Sequence, residues 1–310
     1  MTAASFAAYS IKDASRPAIA LVTGGRSGIG KAIAKKIATF PFIDNVLIVS
    51  RSVQESEVAA EDSKFVAVAA DIGTAEGRRQ VVDKVASLSQ ENGGRQLRYL
   101  IHSAGTIDPI KSVLGVQPEE LRNGLSVNLE GPFFLSTALY PYMKAPDDRA
   151  AAGRILHVSS GAAHGAPPVG WGVYGITKAA FFQSFRVLSR EFEHLGGKVV
   201  VGSFKPGIVD TSMQGVIRDA PADTMPMVGN FKEMKEKSME YSKTSTGVSE
   251  ARPPPKGALD SPDNVAFFAE WLLLGTSDEE FSNRSDDNEY DIRDAKLFAK
   301  WIPEENRTTQ

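Results

Sequence analysis

The chain has 310 residues, of which 42% are hydrophobic and 24% charged, with a formal net charge of −3 and no cysteine. Those values suit a globular α/β body large enough to bury a full core. They exclude disulfides, thiol nucleophiles and thiolate metal sites, and give no reason to expect nucleic acid or an anionic membrane as partner. The histidines, at 102, 157, 164 and 194, show no ligand spacing, so no metal is expected. The N-terminal stretch has neither the basic start nor the apolar run of a secretory signal, and no segment approaches the length of a membrane span, so a soluble cytoplasmic protein is expected.

Residues 1–16 read as a loose arm, with everything from 17 to 310 in one folded unit. The run 18–23, Ala-Ile-Ala-Leu-Val-Thr, is continuously apolar, as in a strand buried on both faces of a parallel sheet. It feeds a turn of Gly24, Gly25, Arg26, Ser27, Gly28, Ile29 and Gly30, and helical periodicity follows over 31–40. Strand, glycine turn and helix together make a dinucleotide site, because glycine lets backbone N–H groups approach a pyrophosphate at a helix N-terminus. A plain βα turn is the competing reading for the glycines alone.

A second strand covers 45–50. Where an NAD site places an acidic residue on the ribose, about twenty residues beyond the glycines, this chain has Ser50 and Arg51. A guanidinium there suits a 2′-phosphate, and Arg26 supplies a second cation, so NADP(H) is expected over NAD(H). The alternative is that both arginines are solvated surface charges.

The third strand is 64–70. Asp71 at its end is either an adenine contact or a helix N-cap. A helix over 74–90 ends at Asn92, Gly93 and Gly94, and the fourth strand, 97–101, leads to His102, Ser103, Ala104 and Gly105. Residues 118–144 read as one long helix interrupted near Gly131 and Pro132. Within it lies Asn128, either a satisfied core polar group or a functional one. A fifth strand over 153–160, a helix over 173–194 and a sixth strand over 198–204 follow, and Pro206 and Gly207 then turn the chain into 208–213. From 219 to about 263 prolines, glycines and charges surround at most one short helix. That insertion, about 215–262, reads as a substrate lid, with a functionless loop as the rival. A helix capped by Ser261 runs to Leu274, and a last strand is expected near Tyr290.

The segment 157–180 carries the chemistry. An apolar run ends in Ser159 and Ser160, a Gly/Pro-rich loop follows, and Tyr174 and Lys178 stand four residues apart on one helical face. A phenol of reference pKa about 10 needs a nearby cation to exchange protons near neutrality, and Lys178 is that cation. Tyr140 and Lys144 repeat the spacing, but Pro141 lies between them and no Ser-terminated strand precedes them, so they are read as coincidence.

The motifs at 23–30, Ser103-Ala104-Gly105, Asn128, Ser160, Tyr174 with Lys178, and Pro206-Gly207 with Thr211, taken in this order, resemble the short-chain dehydrogenase/reductase family over nearly the whole chain. The resemblance implies a single Rossmann-type α/β fold, doubly wound, with a parallel sheet of about seven strands in order 3-2-1-4-5-6-7 and helices on both faces. It implies that Tyr174 is the acid/base, that Lys178 lowers its pKa and binds the nicotinamide ribose, and that Ser160 polarises the carbonyl. Asn128 would hold a water linking Lys178 to solvent, and Ile208 and Thr211 would contact the carboxamide. Ser103 departs from the Asn usual before Ala-Gly, which puts one cofactor contact in question. Within the family the segments 159–174 and 206–214 resemble the sepiapterin reductase and benzil reductase branch. That likeness places Trp171 and Met213 in the substrate pocket, with Asp291 or Asp294 as the acid that grips a pterin; ordinary loop packing is the alternative for Trp171. The expected function is NADPH-dependent reduction of a small ketone or vicinal dicarbonyl. A non-catalytic NADP(H)-binding regulator and an NAD(P)-dependent secondary-alcohol dehydrogenase are the rivals. A homo-oligomer, dimer or tetramer, built through helices covering 120–144 and 173–194, is implied by resemblance alone.

Overall fold

The computed structural model describes residues 16–90, 94–144, 151–244, 250–282 and 289–307. The expected arm, the Asn92-Gly93 helix end and the acidic stretch before Tyr290 fall largely outside these residues.

The first half alternates strand and helix: β1 (Ala18–Thr23), α1 (Gly28–Ala38), β2 (Ile43–Ser50), α2 (Glu55–Ala59), β3 (Phe65–Ala69), α3 (Ala75–Gln90) and β4 (Gln96–His102). Then come α4 (Pro118–Leu125), a π-helical turn (Ser126–Glu130), α5 (Gly131–Met143), β5 (Gly153–Val158), α6 (Gly172–His194) and β6 (Val199–Lys205). The chain closes with α7 (Ser212–Arg218), α8 (Val228–Thr244), α9 (Pro262–Leu274), α10 (Asp278–Ser282), β7 (Tyr290–Asp291) and α11 (Phe298–Trp301). All seven strands form one parallel sheet in the order β3-β2-β1-β4-β5-β6-β7, as expected.

Successive side chains of a strand point to opposite faces, and here each face has its own core. Ala20, Val22, Val46, Ile48, Ile101, Leu156 and Phe204 pack with α1 and α9. Ile19, Leu21, Leu47, Val49, Leu100, Ile155 and Val201 pack with α3, α5 and α6. Burial on both faces is why these strands are unbroken apolar runs rather than alternating ones. Arg154 in β5 is a buried charge among them. Its buried guanidinium donates to the carbonyls of Leu272 (3.0 Å), Leu273 (3.1 Å) and Thr276 (2.8 Å), capping the C-terminus of α9, and to Asp278 (2.8 Å).

The interruption expected near Gly131 and Pro132 is the π-helical turn at 126–130, immediately before them, and Pro132 stands in the first turn of α5. The reason is covalent: Pro132 has no N–H for the carbonyl of Asn128, four residues earlier, and its ring clashes there, so the disruption falls upstream of the proline. One expectation is corrected: among its described residues the stretch 219–263 holds a single helix between α7 and α9, as expected, but it is long rather than short. This helix, α8, has 17 residues. Its sequence is rich in Lys, Glu and Met, which are good helix formers. Its apolar face is so narrow, mainly Phe231 and Met234, that the periodicity is weak.

Candidate active site

At the C-terminal edge of the sheet β1 passes into the glycine turn. Gly24 has φ +69°, and a Cβ on it would lie 2.8 Å from Ala104 Cα; a Cβ on Gly30 would lie 2.4 Å from the Gly24 carbonyl oxygen. Only glycine fits either place. Gly28 packs against Thr211, Ile29 is half-buried behind it, and the exposed Ser27 is the N-cap of α1. Thr23 ties this turn to the next crossover, since its Oγ accepts from the N–H groups of Ser103 (3.2 Å) and Ala104 (3.3 Å).

Beside the turn lies a cavity of about 440 Å³ lined by Gly25, Arg26, Ser27, Lys31, Ile48, Glu57, Glu61 and Phe65. Arg26 crosses it to donate to Ser52 (3.0 Å) and Glu57 (3.3 Å). Arg51, next to Ser52 in the chain, is exposed. Asp71 accepts the Gly73 N–H through Oδ1 at 2.9 Å and so closes the turn before α3, leaving its other oxygen uncommitted to that turn.

Asn128, Ser160, Tyr174 and Lys178, the tetrad that the resemblance implies, meet where β4 and β5 end. Asn128 sits in the π turn with its side chain fully used: Oδ1 accepts from the Thr106 N–H (2.8 Å), while Nδ2 donates to the Thr106 carbonyl (2.8 Å) and Thr177 Oγ (2.9 Å). A Cβ on Gly105 would stand 3.2 Å from Asn128 Oδ1 and 3.8 Å from Lys178 Nζ, so that glycine keeps the two close. Lys178 is buried on α6, and its Nζ donates to the Val158 carbonyl at the end of β5 (3.2 Å). Burial pulls its pKa down to about 8, with the charge of Glu289 opposing the shift.

Tyr174 lies one turn before Lys178, and its ring centroid is 5.9 Å from Nζ. Burial raises the phenol above its ordinary value, and a hydrogen bond with Ser160 opposes that rise. The Lys178 amine, one turn on, donates to the Val158 carbonyl. Ser160 itself follows β5 and caps the short turn Gly161–Ala163, accepting from the Ala162 N–H (3.2 Å).

Trp171 and Met213 belong to a separate apolar cluster over Tyr174. Ile107, Ala162, Trp171, Tyr174, Ile217, Met225 and Phe231 are buried in it, with Ile208, Met213 and Met234 at its margin. Trp171 packs edge-on to Tyr174 (5.6 Å between centroids) and is stacked on Phe231 of α8 (5.7 Å). It is 9% exposed, and its Nε1 has no hydrogen-bond partner. Pro206 and Gly207 turn the chain so that Ile208 and Asp210 bracket Asp260: the Asp260 N–H donates to Ile208 O and the Asp210 N–H to Asp260 O, both at 2.8 Å.

Asp291 does not join this cluster. Its carboxylate accepts from Arg293 Nε (3.0 Å) and Nη2 (2.9 Å), with Lys205 Nζ at 3.5 Å. Asp294 caps a short turn by accepting from the Lys296 N–H. A further cavity of about 610 Å³, lined among others by Ile208, Met234, Lys256, Asp260 and Arg293, includes no member of the tetrad. The second Tyr-x-x-x-Lys pair is apart from all of this: Tyr140 packs on Phe192 (4.7 Å), and Lys144 is the exposed C-cap of α5.

Sequence reasoning missed Thr106 and Thr177, which hold Asn128, and Phe231, Met225 and Ile217, which face Trp171. Thr177 stands between Tyr174 and Lys178, a placement that could have drawn notice. Nothing local distinguishes Phe231.

The sequence pattern of the short chain dehydrogenases matches residues 18–222. Benzil reductase ((S)-benzoin forming) of Bacillus cereus is 26% identical over 221 residues, 70% of this chain and 85% of that protein. Sepiapterin reductase of Meriones unguiculatus is 33% identical over 216 residues, covering 66% of this chain and 79% of that one. Among solved structures, a short chain dehydrogenase/reductase of Saccharomyces cerevisiae has a TM-score of 0.71 at 22% identity, over 92% of this chain and all of that one. L-sorbose reductase of Gluconobacter frateurii, complexed with NADPH and L-sorbose, has a TM-score of 0.66 at 22% identity, over 89% and 95%. At such identities the structures speak to the fold alone; the sequence match goes further, and the chain belongs to the short chain dehydrogenase/reductase family, oxidoreductases that act on carbonyl or alcohol groups with a nicotinamide cofactor.

Proposed function

We propose that this protein is an NADPH-dependent carbonyl reductase acting on a vicinal dicarbonyl with apolar, benzil-like substituents. The observation that carries the reading is the closure of Trp171, Phe231, Met213 and Ile208 over the Ser160–Tyr174 pair. Such walls suit an uncharged aromatic diketone. The unpartnered Trp171 N–H is a donor for the second carbonyl oxygen, which a buried polar group would otherwise miss. Engagement of Asp291 by Arg293 and Lys205 argues against a pterin held by that acid. The name of the Bacillus relative, a benzil reductase, supports the same choice.

The residues fit a nicotinamide dinucleotide. The backbone of 24–30 offers N–H groups on a turn where a Cβ at Gly24 or Gly30 would collide, suited to a pyrophosphate. Arg26 and Arg51 flank the place of a 2′-phosphate, while Asp71, Ser103, Ala104 and Gly105 border the adenine and ribose side, and Pro206, Ile208 and Thr211 the nicotinamide side. When bound, the reduced nicotinamide supplies the hydride. Tyr174 delivers the proton to the carbonyl oxygen, an effect of roughly 10² to 10⁴ in rate, and Ser160 holds that oxygen. Lys178 stabilises the phenolate left behind. The main-chain carbonyl of Asn128, which Pro132 cannot cap, is the acceptor for the water that links Lys178 to solvent. The helices α7 and α8 form the lid on the substrate.

The test is turnover of benzil by the purified protein with NADPH and with NADH. Tyr174→Phe should lose at least about 100-fold in kcat, and Arg51→Ala should weaken NADPH but not NADH. Tyr174→Phe turning over as fast as the parent would overturn the mechanism. NADPH binding without turnover across a carbonyl panel would favour the regulator.

A further inference from the structure

One buried acid near the tetrad has no part in the proton chemistry. The strand register places Thr23, His102, His157 and Ser203 side by side across β1, β4, β5 and β6. Glu289, just before β7, extends this row at the sheet edge, where Ser203 Oγ donates to its Oε1 at 2.7 Å. Its other oxygen is 2.5 Å from Nε2 of His164. The Glu289 side chain is 1% exposed, and among the described residues no Lys or Arg is within ion-pairing distance of it. Burying a carboxylate is costly unless nearby groups compensate it.

The two groups that gain from Glu289 both belong to the site. His164 lies in the loop 161–171, which leads from Ser160 to Trp171, and its ring packs on Phe182 of α6 (4.5 Å). Lys178, one turn before Phe182 on the same helix, has Nζ 4.9 Å from the Phe181 ring, whose other contact is the stacked ring of His157 (4.3 Å). Glu289, His157 and Lys178 therefore share one buried layer between α6 and the sheet, and His164 closes its exposed edge.

We propose that Glu289 is a positioning residue for the reaction: through His164 it fixes the loop that carries Trp171, and it serves as the buried counter-charge of Lys178. Its kinetic consequence rests on the carbonyl-reductase reading; its electrostatic one does not. The charge of Glu289 favours the protonated amine, against the burial that disfavours it. The other groups facing this layer are His157, held neutral by burial, Tyr174 on α6, and at the strand ends the cluster of Lys205, Asp291 and Arg293, which is internally paired.

The experiment is a titration of Lys178 by NMR of ¹³Cε-lysine in the full chain without substrate, the signal being identified by its loss in Lys178→Arg. Glu289→Gln keeps the shape and removes the charge. It should move the Lys178 midpoint down by at least about half a pH unit, while His164→Gln leaves the midpoint in place. Steady-state kinetics with benzil should show the reverse split: His164→Gln raises KM about tenfold with kcat within about twofold. Glu289→Asp retains the charge but withdraws it from His164, so it should copy His164→Gln in KM and the parent in midpoint. An unmoved Lys178 midpoint in folded Glu289→Gln overturns the counter-charge. An unchanged KM in both Glu289→Asp and His164→Gln overturns the loop contact, even where Glu289→Gln fails to fold. Absence of all turnover in the parent protein would refute the reductase reading and still leave the titration to decide the electrostatic half.

Discussion

Lys178 and Tyr174 show how little spacing alone says about charge. The i, i+4 relation was legible and places both groups on one face of α6, whereas the bond from the amine to the Val158 carbonyl and the rise of the phenol by burial were not. A lysine with pKa about 8 loses its charge as pH rises through 8, and with it the support for a phenolate. The rate of ketone reduction should therefore fall above pH 8, readable as the alkaline limb of kcat/KM; a flat profile to pH 10 would contradict the role of the cation. Arg26 offers a second prediction. Its exposed pair with Glu57 competes with any phosphate, and such pairs contribute at most about 1 kcal/mol. Glu57→Gln should tighten NADPH by no more than about fivefold and leave NADH unaffected, as measured by cofactor fluorescence titration.

Among the elements α8 decides most and was least visible. Its charged composition reads as a solvated stretch, and only the packed chain brings Phe231 onto Trp171, 60 residues away in sequence. Under the proposed function, Trp171, packed between Phe231 and Tyr174, would meet substrate only after α8 shifts. Phe231→Ala should raise kcat/KM for bulky aryl ketones relative to small ones by about tenfold, measured as a ratio so that general losses cancel. The π turn at 126–130 makes the same point from the other side: the Asn and the Pro were both legible, and covalent chemistry links them, but the location of the break follows from the clash four residues upstream. Arg154 is an element-level clamp. Arg154→Met would leave the end of α9 uncapped in a buried place, at a cost of about 3 kcal/mol by denaturant unfolding.

For the molecule as a whole, the row of His102 and His157 makes the core sensitive to acid. Burial lowers the pKa of His102 to about 3 and holds that of His157 well below its ordinary 6.5. The unfolded chain therefore binds more protons than the folded one below about pH 6.5, and stability falls as pH drops from there toward 3. The slope is up to about 1.4 kcal/mol per pH unit for each histidine. Urea unfolding between pH 7 and 4 should show it, and His102→Asn should roughly halve the slope. On the outer faces Phe134 of α5 and Ile176 and Val187 of α6 are exposed, as a homo-oligomer through these helices would require. Light scattering of Ile176→Glu with Val187→Glu should then report a smaller species than the parent.

The sequence by itself marked the buried strands and the glycine turn, while the strand order and the roles of Ser160, Tyr174, Lys178 and Asn128 were implied by its resemblance to a known family. Buried parallel strands must be continuously apolar, and a backbone that approaches a phosphate must be glycine, so both requirements are written locally. Tertiary structure alone decided which way the Lys178 amine points, that Asp291 is bound to Arg293 and Lys205, and that Glu289 meets His164 from 125 residues away. Each of these depends on which charges share a buried space, and the low dielectric there makes that neighbourhood, rather than residue type, set the state of each group.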